Sequence, residues 1–290
     1  VSSALLVTSR QVLGTTRRRL AGRDLALASA GATLYGALAA VPSLLVAVAV
    51  AGVLLGHDGL ARYGRDLADT VPSALGAGAW VSALFSAGLS LSPVAVVFAV
   101  FMGSAYGRGL SRALRRFAPS TGSDIELPPS WWSRALTLPL LGLAPLLLLG
   151  LLLGTPAVSD LQSQHGLIGV AGASYLGLNL IWVITWLPLT WMFRVVAPGR
   201  PSWRAALIGG VVTGAFISGF LQGFTLFLAL PVDLGRPFGG LVVVGATSAL
   251  LLWLWVLHVV VCVGYTFTWA LNDVLEPPGA TADGRSHLPS

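Results

Sequence analysis

The chain has 290 residues, of which 55% are hydrophobic and only 10% charged. Ordinary soluble domains carry about 25% charged residues, so this composition excludes a soluble globular domain and places the chain in a bilayer. The net charge is +6, all 17 basic residues are arginine, and these flank apolar runs, so the expected partner is an anionic membrane surface rather than nucleic acid. One cysteine, Cys262, excludes an intramolecular disulfide and a cysteine-based metal site.

Residues 1–23 mix Leu5, Leu6, Val12, Leu13 and Leu20 with Arg10, Arg17, Arg18, Arg19 and Arg23. This is a basic amphipathic pattern, suited to a helix lying on an anionic leaflet or to a solvated leader that sets orientation. The membrane domain follows, over residues 24–272. A helix needs about 20 apolar residues to cross about 30 Å of hydrocarbon, and Leu25–Leu55 is the first such run, with Pro42 in its middle. Pro42 frees a backbone carbonyl and reads either as a tolerated kink or as a hinge. His57, Asp58, Arg62, Arg65, Asp66 and Asp69 mark a polar loop with a short amphipathic helix. Residues 71–88 are Ala/Gly/Ser-rich and read as a re-entrant or interfacial segment.

The second span covers residues 89–106 and ends in a basic extension carrying Arg108, Arg112, Arg115 and Arg116. Trp131, Trp132 and Arg134 form an interfacial anchor. The third span is expected over 135–153. The fourth, 167–193, carries Asn179 and a belt of Trp182, Trp186 and Trp191. A basic loop over 194–204 leads into the fifth span, 203–230. The last span, 241–271, contains no charged residue. The tail, 273–290, is Pro/Gly/Ser-rich and expected to be a disordered cytoplasmic tail.

The fold expected is therefore an all-α polytopic membrane protein with about six transmembrane helices and an N-terminal amphipathic helix. Six spans put Arg62, Arg65 and Arg236 on one side and the other fourteen arginines on the side of the termini. Positive residues stay inside, so both termini are expected in the cytoplasm and the chain in the inner or plasma membrane.

Several motifs, in order, resemble the BrkB-type (YihY-type) integral membrane family. They are Tyr35 followed by Pro42-Ser43-Leu44-Leu45, the basic run Gly107 to Arg116, Pro201-Ser202-Trp203-Arg204 leading to Gly209-Gly210, and Phe238-Gly239-Gly240 before Leu252-Trp253-Leu254-Trp255 and Gly264. The resemblance covers roughly residues 20–272 and implies a link to envelope lipid handling and virulence. The family once carried a ribonuclease label. His57, His165, His258 and His287 are scattered here, and no clustered carboxylates accompany them, which gives a nuclease no metal site. The family's last span usually carries a Glu soon after the final Gly. Here Thr266 and Thr268 follow Gly264, so a proton- or cation-coupled role for that Glu does not carry over.

Polar residues inside spans are the default functional candidates. They are Asn179, Gln222 and His258, a candidate polar groove, although hydrogen-bonding glue between helices explains such residues as well. Gly52–Gly56, Gly150–Gly154, Gly210–Gly214 and Gly219–Gly223 are small-xxx-small pairs that fit tight bundle packing, and also a homo-oligomer face. Arg108, Arg112 and Arg194 are candidate contacts for anionic headgroups. Without a nucleophile–base pair, paired carboxylates or a nucleotide motif, no enzyme activity and no cofactor are expected. The expected function is an uncoupled transporter or lipid translocator of the cell envelope. The alternative is a non-transporting scaffold that binds partners or organises lipid.

Overall fold

The computed structural model describes residues 2–70, 77–119, 130–140, 166–229 and 234–276. These fold into helices α1 (Ser2–Leu20), α2 (Leu25–Leu55), α3 (His57–Thr70), α4 (Ala77–Leu89), α5 (Pro93–Arg115), α6 (Ser130–Ala135), α7 (Leu167–Trp191), α8 (Trp203–Ala229) and α9 (Val242–Leu275). No strand occurs among the described residues. Five of the helices, α2, α5, α7, α8 and α9, are long and apolar enough to cross a membrane. The third expected span lies outside the described residues beyond position 140, as do Gly150–Gly154, His165 and the tail from 277.

Local signals explain the boundaries. Asp24 caps α2 by accepting from the Leu27 amide at 2.9 Å, and Ser92 caps α5 by accepting from Ala95, with Pro93 in the first helical turn. The second span therefore begins at Pro93 rather than at 89, and its basic extension continues the same helix to Arg115. α2 runs unbroken through Pro42. The Ser43 hydroxyl donates to the Ala39 carbonyl beside it at 2.7 Å.

Close glycine contacts set the packing. α2 and α5 run antiparallel, with Gly109 under the Tyr35 ring and Gly36 beside Tyr106. α7 and α8 meet where Gly210 faces Thr190 and Gly214 faces Trp186. The Gly210–Gly214 pair thus serves packing inside the bundle. α8 and α9 meet through a reciprocal pair: Gly209 lies against Thr268, and Gly264 lies against Thr213. Each threonine hydroxyl also donates to the glycine carbonyl four residues back on its own helix, at 2.6 Å for Thr213 and 2.8 Å for Thr268. That bond turns each methyl and hydroxyl into a fixed knob for the glycine opposite.

The arginine-rich segments collect at one end of the bundle. Arg23 donates to the Arg116 carbonyl, and Arg19 pairs with Asp273 at 2.6 Å. α1 lies along α9, burying Val12 and Thr16 while Arg10, Arg17 and Arg18 stay exposed. A π-helical turn, Met192–Val196, ends α7. The following 197–202 connection is held by one stripe of α9: the Tyr265 hydroxyl donates to the Pro198 carbonyl, the Trp269 ring covers Gly199, and Asn272 accepts from the Ser202 amide at 2.8 Å. Gly199 has φ +89°, a left-handed conformation in which a side chain would be strained.

At the opposite end, α3 and α4 form a hairpin beside α2. Gly64 faces the Phe85 ring and Gly78 faces the Ala68 carbonyl, so the two helices are antiparallel. α4 runs parallel to α2: Trp80 and Ala83 share a groove with Val41 and Leu45, Gly88 abuts Val48, and Gly52 abuts Leu89. The chain therefore leaves α2 at Leu55, returns alongside it to the level of Pro42, and climbs back out. α4 has 13 residues, about 20 Å of rise, which is short of the hydrocarbon thickness. Of residues 71–88, expected to be re-entrant or interfacial, 77–88 form the returning arm of this hairpin; 71–76 lie outside the described residues.

Candidate functional site

The deepest polar cluster centres on His258, which is 4% exposed. Its Nδ1–H donates to the Leu254 carbonyl at 2.7 Å, the bond that fixes the tautomer. The ring's Nε2 is then an acceptor, and the Tyr106 hydroxyl donates to it at 3.1 Å. Thr33 Oγ1 lies 3.3 Å from Nδ1 while donating to the Ser29 carbonyl at 2.8 Å. One helical turn away, the Ser29 hydroxyl meets Cys262 Sγ at 3.7 Å. The cluster joins α2, α5 and α9. It exists because Gly36 has no side chain: a Cβ there would lie 2.9 Å from the His258 ring. All polar atoms of the ring are used, so the cluster has the chemistry of a helix junction.

The other two groove candidates lie elsewhere. Asn179 Nδ2 donates to the Tyr175 carbonyl of its own helix at 2.8 Å. Gln222 Nε2 donates across to the Ser174 carbonyl of α7 at 3.0 Å. Asn179, Gln222 and His258 make no hydrogen bond to one another, and each serves a different contact. Two of the belt tryptophans also act as ties: Trp182 donates to the Val211 carbonyl at 2.9 Å and Trp191 to the Leu136 carbonyl at 3.0 Å.

The candidate headgroup arginines divide by exposure. Arg112 is exposed, while Arg108 and Arg194 are partly buried. Arg108 Nε and Arg194 Nε are buried without a hydrogen-bond partner, and the Arg194 guanidinium lies 5.2 Å from the Trp203 ring centre. Arg134 sits 4.4 Å over Phe101, at the lipid-facing surface of α5. These side chains pair their stems and faces with apolar surface and leave charge for anions. Pro42 is half-buried and stands beside the inner end of the α3–α4 hairpin.

Sequence reasoning named the charges of α3 but assigned them no site. Gly64 lies level with Phe85, between the levels of Leu45 and Val48 on α2. That places Arg65 about 10–15 Å below the end of α2 at 1.5 Å per residue. The available signal was the strong polar/apolar division of α3, whose Leu60 packs with Val48, Ala51 and Phe85. Among the described residues, no three His, Cys, Asp or Glu side chains converge to hold a metal.

A family model described as Virulence factor BrkB matches residues 16–286. The chain belongs to that family. As a BrkB-family protein with five apolar helices of spanning length among its described residues, it is a multi-pass integral membrane protein. No curated protein and no solved structure matches this BrkB-family chain.

Proposed function

We propose that this BrkB-family protein moves lipids between the leaflets of the inner or plasma membrane without coupling to an ion gradient. The supporting observation is the hairpin beside α2: α3 carries polar and charged side chains and packs Leu60 with Val48 and Ala51, in the last third of that spanning helix. A polar helix packed beside a spanning helix offers a headgroup a track, while the acyl chains remain in the surrounding hydrocarbon. The arginine-rich end, with Arg108, Arg112 and Arg194, faces the cytoplasm and holds anionic headgroups there. The α1 helix rests on α9 with its free arginines toward the same leaflet.

The test is translocation in proteoliposomes of purified protein, with fluorescent anionic and zwitterionic lipids and chemical quenching of the outer leaflet. Quenching of the inner-leaflet label faster than in protein-free vesicles, and unchanged by an imposed pH or sodium gradient, is the expected result. A gradient-dependent rate would replace uncoupled movement with coupled transport. No acceleration for any lipid, with insertion verified, would move the reading to a scaffold that binds partners.

A further inference from the structure

Two cavities flank α4. Between α3 and α4 lies one of about 410 Å³, whose wall includes Gly64, Arg65, Ser82, Ser86 and Ser90. On the other side, between α4 and α2, lies a groove of about 360 Å³ lined by Val41, Leu45, Trp80, Ala83 and Ala87. The serines recur at every fourth position and so line one face of the helix, while the alanines line the next. Ser82, Ala83, Ser86 and Ala87 are all exposed, forming a ridge on which the polar and apolar sides meet.

Arg65 sets the ligand's charge. It has no ion-pair partner among the described residues, and Asp69, one turn further along α3, is not part of the cavity wall. Its guanidinium is exposed beside the cavity, and its planar fork matches phosphate oxygens. The Ser82 and Ser86 hydroxyls opposite supply further donors, while that of Ser90 donates to the Ser86 carbonyl at 2.9 Å. The apolar groove one helix face away selects between two sources of phosphate: a free ion has no use for it, whereas an acyl chain fills it.

We propose that the α3–α4 hairpin binds a phospholipid, with the phosphate between Arg65 and the Ser82/Ser86/Ser90 face and an acyl chain in the groove between α2 and α4. The site lies at the end of the bundle away from the arginine-rich segments. Under the translocation reading, on which its role rests, it is the docking site for the leaflet opposite the termini.

The test uses the full chain reconstituted in liposomes with a photoactivatable phosphatidylglycerol carrying a diazirine on its acyl chain. Adducts are mapped by mass spectrometry. Adducts are expected on α4 and on α2 near Val41. Arg65→Gln should lower their yield about tenfold, the loss of a charge-assisted hydrogen bond, and Arg65→Lys should restore part of it. Ala83→Trp, which fills the groove without touching Arg65, should lower it as well. If Arg65→Gln fails to insert, the Ser82→Ala/Ser86→Ala variant reads the same loss. Excess inorganic phosphate should leave the yield unchanged. Equal adduct yield in Arg65→Gln, or displacement by inorganic phosphate, would overturn the lipid site. The two readings separate cleanly: adducts at α4 in a protein that moves no lipid uphold the site and remove translocation. Equal adduct yield in Arg65→Gln, in a protein that still moves lipid, removes the site and keeps translocation.

Discussion

The Tyr106 hydroxyl donates to Nε2 of His258 across 3.1 Å, joining α5 to α9 through two residues 152 positions apart. Tyr106→Phe keeps the ring and leaves the His258 acceptor without its donor. Polar contacts between membrane helices average about 0.6 kcal/mol and reach about 1.7, so a loss of about 1 kcal/mol is expected in equilibrium unfolding. The double variant with His258→Phe should lose less than the sum of the two single ones, because the shared bond is counted once. Full additivity would mean that the pair is not coupled.

The reciprocal contact between Gly209 and Thr268 leaves no room for a side chain on α8. Gly209→Val is expected to destabilise the protein by about 1–3 kcal/mol through overpacking. Combining it with Thr268→Ala should recover part of that loss, because the second change empties the space that the first one fills. The readout is the unfolding midpoint of each variant in the same detergent.

Gln222→Leu removes a single bond to the Ser174 carbonyl. It should cost about 0.6 kcal/mol and leave lipid movement unchanged, since the residue ties α7 to α8. A large fall in translocation with normal stability would return Gln222 to the transport path.

Pro42→Ala restores an amide that can donate to the Leu38 carbonyl one turn back. If the hydrogen bond missing at Pro42 lets α2 flex beside the hairpin, the variant keeps or raises its unfolding midpoint while translocation slows severalfold. An unaltered rate would assign Pro42 a purely structural role.

Arg19→Gln opens the ion pair to Asp273, whose two side chains are 20% and 38% exposed. Such a partly solvated pair contributes only about 0–1 kcal/mol. The expected effect is local: faster protease cleavage within α1, with the unfolding midpoint of the bundle unchanged.

The spanning helices were legible because uninterrupted apolar runs such as 25–55 and 241–271 have one stable solution in a bilayer. Their packing was not. Hydropathy ranked Asn179, Gln222 and His258 alike as polar residues in spans, yet Asn179 and Gln222 bond to carbonyls of α7 while His258 joins α9 to α5, and Tyr106 gave no sign of being the partner of His258. The hairpin was half visible. Residues 71–88 looked too weakly apolar to span, and the short amphipathic helix expected in the polar 57–69 stretch is α3, but its pairing with α4 beside α2 was not visible. What holds it beside α2 is the fit of Gly64 to Phe85 and of Gly88 to Val48, a relation between distant backbones that no periodicity carries.

The stripe of Tyr265, Trp269 and Asn272 has a consequence for synthesis. The backbone groups it satisfies, the Pro198 carbonyl and the Ser202 amide, precede their partners by 67 and 70 residues. Arg19 waits longer still, 254 residues, for Asp273. During translation these groups stand open until α9 has entered the bilayer. α9, made after all the elements it closes, is therefore the keystone of the arginine-rich end. A chain stopped after α8 would present an unclosed connection and an undocked first helix, a state that quality-control proteases can tell from the finished protein.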